Sequence, residues 1–211
     1  MITLRQLLAT AIAAVGFAAA GASAQQPDFG LVNPPQPTEG GGKIEVIEFF
    51  WYGCPHCARL EPFVAKWAAA QPKDVVFKRV HALPSDAWLE NATLFYTLEA
   101  MGKLDALHMK VFEAIHNEGV NLNNKTVREG WLTKNGIDPA KYAEVAKSFS
   151  VQTKLTRARQ MTSAYKVDGV PQFYVNGKYV TNNSYAQGEP KIMPIVEKLV
   201  DKVRKEMAAA K

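Results

Sequence analysis

Ile44-Glu45-Val46-Ile47-Glu48-Phe49-Phe50-Trp51-Tyr52-Gly53-Cys54-Pro55-His56-Cys57 is the stretch that frames the whole chain. Its first seven residues are too apolar for a half-exposed strand and read as a central one. They lead within four residues to a Cys-x-x-Cys. Cys54 and Cys57 are the only cysteines in 211 residues. Two thiols spaced to close a small ring, with no third to pair with, suggest a disulfide made and broken as chemistry rather than kept as a staple. A Cys-x-x-Cys that follows a strand and opens a helix places its first sulfur at the helix N-terminus. The partial positive charge and unpaired N–H groups there lower a thiol's pKa.

Beyond this stretch the sequence predicts a helix from about Cys54 to Ala70. Pro55 falls at an early position, where its missing N–H costs nothing. Pro62 lies inside, where it is expected to kink the helix near Ala58. Val75 to His81 reads as a second strand. From Ser85 to about Lys166 the pattern is helical, with three to five helices and no strands. Thr126 and Glu129 resemble a capping box. Asn135-Gly136 closes one helix, and Asp138-Pro139 opens the next as N-cap and first helical residue. Gln172–Val175 and Lys178–Thr181 flank Asn176-Gly177, a hairpin signal. Glu189 to Met207 forms a closing amphipathic helix. The fold class is therefore α/β, with residues 44–84 and 167–211 forming one unit split by a helical insertion over 85–166.

The N-terminus predicts export. Arg5, the apolar run Leu7–Ala20 and the Ala22-Ser23-Ala24 site form a signal peptide, residues 1–24, cleaved before Gln25. The run is shorter than the ~20 residues a bilayer span needs. Residues 25–43, with Pro27, Pro34, Pro35, Pro37 and Gly40-Gly41-Gly42, read as an extended arm and flexible hinge. The formal net charge of +5 is mild. Lys198, Lys202, Arg204 and Lys205 on the last helix read as a solvated face, which leaves nucleic-acid binding without support.

The chemistry is expected to centre on Cys54 as the attacking and leaving thiol, nearest solvent. Cys57, a turn deeper, is the resolving thiol acting through a mixed disulfide. Stabilising the Cys54 thiolate favours the reduced form and makes the disulfide a stronger oxidant. His56, between the two, can offer the sulfur a hydrogen bond or partial positive charge. Glu48, a carboxylate in an apolar strand, needs a partner or a proton, and either Lys78 or Arg79 could supply the former. One of Trp51 and Tyr52 is expected to line an apolar groove. His81, His108 and His116 read as core or surface residues. On residue type alone, Pro171 in Gly169-Val170-Pro171 is an ordinary edge-strand proline.

Glu48-Phe49-Phe50, Cys54-Pro55-His56-Cys57, Gly169-Val170-Pro171 and Phe173-Tyr174-Val175-Asn176-Gly177-Lys178 together resemble the DsbA family of exported bacterial thiol:disulfide oxidases. The likeness spans nearly the whole mature chain. It implies a thioredoxin fold interrupted by a helical domain, and a cis proline at Pro171 beside the active disulfide. It also implies that Val170 offers its backbone to a substrate strand, and that Glu48 assists proton transfer around Cys57. For Glu48 a purely structural salt bridge remains equally open. DsbA proteins are themselves the standard case of a depressed cysteine pKa and an oxidising couple, so that tendency comes with the resemblance.

The reading is therefore a monomeric periplasmic oxidase. It donates the Cys54–Cys57 disulfide to newly exported cysteine-containing proteins and carries no cofactor or metal. The resemblance implies reoxidation by a membrane partner of the DsbB type. The alternative is an exported isomerase or reductase, but such relatives typically dimerise through an N-terminal domain, and only a short arm precedes Ile44. Metal capture by Cys54, Cys57 and a histidine falls short of the usual four ligands. A holding chaperone would use the same apolar groove.

Overall fold

The computed structural model describes residues 27–210; the expected signal peptide and its cleavage site lie outside them. Five strands form one mixed sheet: β1 (Gly30–Leu31), β2 (Ile44–Phe50), β3 (Val75–His81), β4 (Gln172–Val175) and β5 (Tyr179–Asn182). Their spatial order is β1-β5-β4-β2-β3. β2 runs parallel to β3 and antiparallel to β4, and β5 pairs antiparallel with both β4 and β1. β2 is thus internal, and all seven of its residues are buried. That burial is why it reads as a continuous apolar run rather than an alternating one.

Helix α1 (Pro55–Ala69) follows β2 at once, with Cys54 as its N-cap and Pro55 at its start. Pro62 lies inside it, and the helix continues on both sides. After β3 come a 3₁₀ turn (Asp86–Trp88) and five helices: α2 (Leu89–Ala100), α3 (Leu104–His116), α4 (Lys125–Lys134), α5 (Pro139–Ala146) and α6 (Phe149–Ala164). β4 and β5 then return to the sheet, followed by α7 (Asn183–Ala186), a second 3₁₀ turn (Glu189–Lys191) and α8 (Ile192–Ala209). The closing helix therefore begins three residues later than expected, after the turn.

Asp138 caps α5, accepting from the Ala140 N–H at 2.9 Å, as the sequence predicts. The expected capping box at Thr126 is not formed. Asn124, two residues earlier, accepts from the Val127 N–H at 3.1 Å and already satisfies the helix start, which leaves Thr126 inside α4. In the hairpin, Asn176 and Gly177 have φ of 52° and 63°, and β5 begins at Tyr179, one residue later than expected. Gly177 is also needed for space, since a Cβ there would lie 2.0 Å from the Gln36 carbonyl oxygen.

The Pro/Gly arm is not the free hinge the composition suggests. Gly30 and Leu31 pair with Val180 and Tyr179, the Val32 N–H donates to Lys178 O, and the Gln36 N–H donates to Gly177 O. Asp28 receives Lys198 at 2.8 Å. These contacts extend the sheet by an edge strand that is too short to be seen by periodicity.

Two apolar clusters hold the layers. One lies between the sheet, α1 and α8, and contains Val46, Leu60, Val64, Val175, Ile192, Val196, Leu199 and Val203. The other joins the opposite end of β2 to the helical block, through Phe49, Phe50, Tyr52, Phe95, Leu98, Phe112 and Leu132, and it includes both cysteines. The active-site turn is therefore wedged where the sheet meets the inserted helices.

Candidate active site

Cys54 and Cys57 form a reduced dithiol at the start of α1. The Cys57 backbone N–H points at Cys54 Sγ, 3.4 Å away, because Cys54 is the N-cap and the first helical N–H groups have no intrahelical acceptor. The Cys54 pKa is lowered to about 6. The hydrogen bond from the Cys57 thiol contributes most, burial opposes it, and the Cys57 and His56 N–H groups and the charge of His56 add to the lowering. The Cys57 pKa moves the other way, raised by burial first and then by the neighbouring Cys54. The turn thus makes one sulfur a ready thiolate and keeps the other a thiol. Cys54 is the more exposed of the pair, yet only 5% of its surface is open against 1% for Cys57, so the expectation of a solvent-facing nucleophile needs that correction.

Val170 and Pro171 pack opposite. Their peptide bond is cis, and the Cys54 thiol donates to the Val170 carbonyl oxygen at 3.4 Å. The loop 116 residues downstream in sequence therefore touches the reactive sulfur directly.

His56 is not aimed at the sulfur. Its Nδ1 meets the Glu189 carboxylate and lies 2.8 Å from Arg59 Nη2. What reaches Cys54 from this residue is its backbone N–H and its field, which replaces the expected side-chain hydrogen bond. The physical reason is helical geometry: residue 56 points outward on the first turn, beside residue 59.

Beneath the cysteines lies a buried charge chain. Arg79, not Lys78, faces Glu48, with Nε 3.4 Å from Oε2. Parallel pairing puts the two residues in register. Arg79 Nη2 also donates to Glu61 on α1 at 2.6 Å. Lys78, on the other face of β3, pairs instead with Glu45 at 2.6 Å. Glu48 and Glu61 are 1% and 2% exposed. One cation thus serves two buried carboxylates, and the Glu48 pKa rises to about 8, through burial first and then repulsion from Glu61, with Arg79 opposing both. Glu48 therefore carries a proton at neutral pH, and only once it ionises does its charge add a last, small push that keeps the Cys57 thiol protonated.

The three histidines left undecided by the sequence converge on Tyr52. The Tyr52 N–H donates to His81 Nε2 at 3.5 Å, His116 Nε2 donates to Tyr52 O at 2.8 Å, and the Tyr52 hydroxyl meets His108 Nδ1 at 2.8 Å. His108 Nε2 continues to Glu61 at 3.4 Å. Burial pushes the His81 pKa down to about 3, so this ring is neutral and donates from Nδ1 to Ala82 O at 2.9 Å. Tyr52 is fully buried, which removes it as a groove residue and makes it the anchor of the turn that carries Cys54.

A cavity of about 460 Å³ opens beside the site, between α1 and α3, lined by Pro55, Ala58, Pro62, Met109, Phe112 and His116 among others. Trp51 is not among its walls. The Trp51 indole stacks on Trp88 at 4.2 Å and 16° and lies over Gly53, where a Cβ would come within 2.3 Å of the ring. Gly53→Ala should therefore break this stack, costing about 1–3 kcal/mol. Urea unfolding together with tryptophan fluorescence checks this, and an unchanged spectrum and midpoint would refute it.

Among the described residues no group of three His, Cys, Asp or Glu side chains could hold a metal ion. No described helix is long and apolar enough to cross a membrane.

A family model, the DSBA-like thioredoxin domain, matches residues 75–189. The thiol:disulfide interchange protein DsbA of Bordetella parapertussis is 42% identical over 95% of this chain and 97% of its own length. The chain belongs to the DsbA family. The Pseudomonas aeruginosa DsbA is 36% identical across 99% of this chain and 100% of its own. Its crystal structure superposes with a TM-score of 0.81 at 37% identity, covering 88% of this chain and 95% of that one. Reduced DsbA1 from Neisseria meningitidis gives 0.72 at 30% identity, covering 90% and 99%. The α/β fold is thus the thioredoxin fold with an inserted helical block, and the protein is a DsbA-type disulfide oxidoreductase.

The DsbA resemblance points directly at Cys54, Cys57, Val170 and Pro171. Glu61, Arg59, Glu189 and the histidine-held Tyr52 carried no such mark. Glu61 had one available signal: Cys57, Leu60, Glu61 and Val64 form the buried stripe of α1, so a carboxylate at this spacing has to face inward.

Proposed function

We propose that this protein is an exported oxidase that donates the Cys54–Cys57 disulfide to newly exported, cysteine-containing proteins. The observation that carries the reading is the split between the two thiols, Cys54 lowered to about 6 and Cys57 raised. A stable Cys54 thiolate stabilises the reduced protein and makes its disulfide readily given away.

In the forward step a substrate thiolate attacks Cys54 Sγ of the disulfide, and Cys57 leaves and takes up a proton. Glu48, protonated at neutral pH, is the nearby reservoir this reading assigns to that proton. A second substrate thiolate then attacks its own sulfur in the mixed disulfide and releases Cys54 as a thiolate. The substrate loses two electrons and the enzyme gains them. Val170 and Pro171 would align the substrate strand, Pro55 and His56 shape the turn, and Trp51 supports it through Trp88 rather than by touching substrate. The two electrons would leave to a membrane reoxidant of the DsbB type. The protein would work as a monomer in the periplasm, released from residues 1–24, with residues 44–84 and 167–211 as the redox domain and 85–166 as the cover.

Equilibration in glutathione buffers tests this. The protein is expected to be fully reduced even in mildly oxidising buffer, with Cys54 titrating near 6 by thiolate absorbance. A couple that needs strongly reducing buffer would make it a reductase instead.

A further inference from the structure

Glu189 is far from the cysteines in sequence, yet it closes the outer rim of their site. It opens the 3₁₀ turn that leads into α8. Its carboxylate takes Arg59 Nε at 2.9 Å and Nη2 at 2.7 Å as well as His56 Nδ1. A two-point guanidinium–carboxylate pair fixes orientation as well as distance. Glu189 is only 18% exposed, whereas His56 and Arg59 are about half open, so the carboxylate is the anchored member. Its pKa is lowered to about 2, by Arg59 first and His56 after, and it stays charged throughout the working range.

His56 and Arg59 both act on Cys54. The charge of His56 favours the thiolate. Arg59, whose pKa is raised first by Glu189, is raised also by the Cys54 thiolate. The groups on this side of the sulfur are thus the Arg59 guanidinium and the His56 imidazole on α1 and one anion on the turn before α8. On the inner side, Glu48 bears on Cys57.

We propose that Glu189 is a positioning residue that sets the reduction potential of the Cys54–Cys57 couple. It ties His56 and Arg59 outward and offsets their charge, which leaves the thiolate to the helix N–H groups and the Cys57 thiol. Without it the Arg59 guanidinium, joined by the His56 ring whenever that is protonated, would stabilise the thiolate further and make the disulfide a stronger oxidant. The inference rests on Cys54 being the reactive sulfur, as in the reading above.

The experiment is the glutathione equilibrium of the full mature protein, in which two glutathione thiols reduce the disulfide and yield one glutathione disulfide. Glu189→Gln keeps the shape and an acceptor for Arg59 but removes the charge. It should shift the equilibrium toward reduced protein by about three- to tenfold, a tenfold change being about 30 mV for this two-electron couple. The Cys54 thiolate titration should move down with it. Arg59→Gln leaves the carboxylate without its strongest partner and should shift both readouts the opposite way. Glu189→Asp, which retains the charge, should stay near the native midpoint.

Opposite shifts for the two glutamine variants support the assignment. Midpoints within twofold of native for both, or shifts of the same sign, overturn it. An aspartate variant that behaves like the glutamine variant also overturns it, because shape and not charge would then matter. A purely structural clamp would lower the melting temperature of oxidised and reduced protein alike and leave the midpoint in place. The absolute midpoint of the native protein tests the oxidase reading, and only the differences test Glu189.

Discussion

Cys54→Ser is expected to abolish disulfide transfer, with a loss on the order of 10³-fold or more, the scale on which removing the nucleophile of a covalent catalyst acts. The oxidation rate of a two-cysteine peptide reads it directly. Residual oxidation within tenfold of native would mean that Cys57 can start the reaction, which its burial and raised pKa argue against. Replacing Cys57 separates two of its roles. Cys57→Ala leaves no resolving thiol. When its Cys54 thiolate attacks a peptide that already carries a disulfide, it releases one of the peptide's sulfurs as a thiolate. The mixed disulfide on Cys54 then has no Cys57 to resolve it and should accumulate, visible on a non-reducing gel. It also removes the largest cause of the lowered Cys54 pKa, the hydrogen bond from the Cys57 thiol. The remaining thiol should therefore titrate above about 6. Cys57→Ser restores a donor at that point and should recover part of the lowering. If the alanine and serine variants titrate alike, the helix N–H groups alone hold the thiolate.

The second large effect concerns Arg79, the one cation shared by Glu48 and Glu61. Arg79→Met would leave two carboxylates, each under 3% exposed, with only His108 near Glu61. Removing one member of a buried charge cluster typically costs about 3–5 kcal/mol, because the others stay buried without compensation. Urea unfolding at neutral pH measures the loss, and a cost under about 1 kcal/mol would sink the idea. The pH dependence has a definite sign. The folded-state pKa of Glu48 is about 8, above the ordinary value of about 4.3 for an unfolded glutamate. The folded protein therefore retains a proton that the unfolded chain has released. The resulting penalty is absent below about pH 4, grows as pH rises, and is complete above about pH 8. Glu48→Gln, which needs no proton, should flatten the decline in stability across that window. The cost of Arg79→Met should in turn be larger at pH 8 than at pH 5, where Glu48 is protonated with or without its partner.

The buried chain also shows where reading the sequence stops. Glu48 announces itself, since a carboxylate in Ile44–Phe50 has to be buried. Which of Lys78 and Arg79 meets it depends on whether β2 and β3 are in register at 48 and 79, and alternation along one strand does not contain the register of its neighbour. Lys78 goes instead to Glu45, which alternation puts on the opposite face of β2 from Glu48.

From the sequence alone came the elements and the reactive turn. Strand, Cys-x-x-Cys, helix, strand, helical block, hairpin and closing helix follow from periodicity, caps and turn residues, because these are local preferences written within a few residues of one another. The redox character of Cys54–Cys57 follows from two thiols with no other partner. Tertiary structure decided what those thiols meet. Val170 reaches Cys54 across 116 residues, Glu189 reaches His56 across 133, and three histidines from β3 and α3 close on the backbone and hydroxyl of Tyr52. It also turned the Pro/Gly arm into an edge strand and drew His56 away from the sulfur. Each of these outcomes depends on which buried groups find compensation in a low-dielectric interior, and that is settled by the packing of distant segments rather than by the order of residues within any one of them.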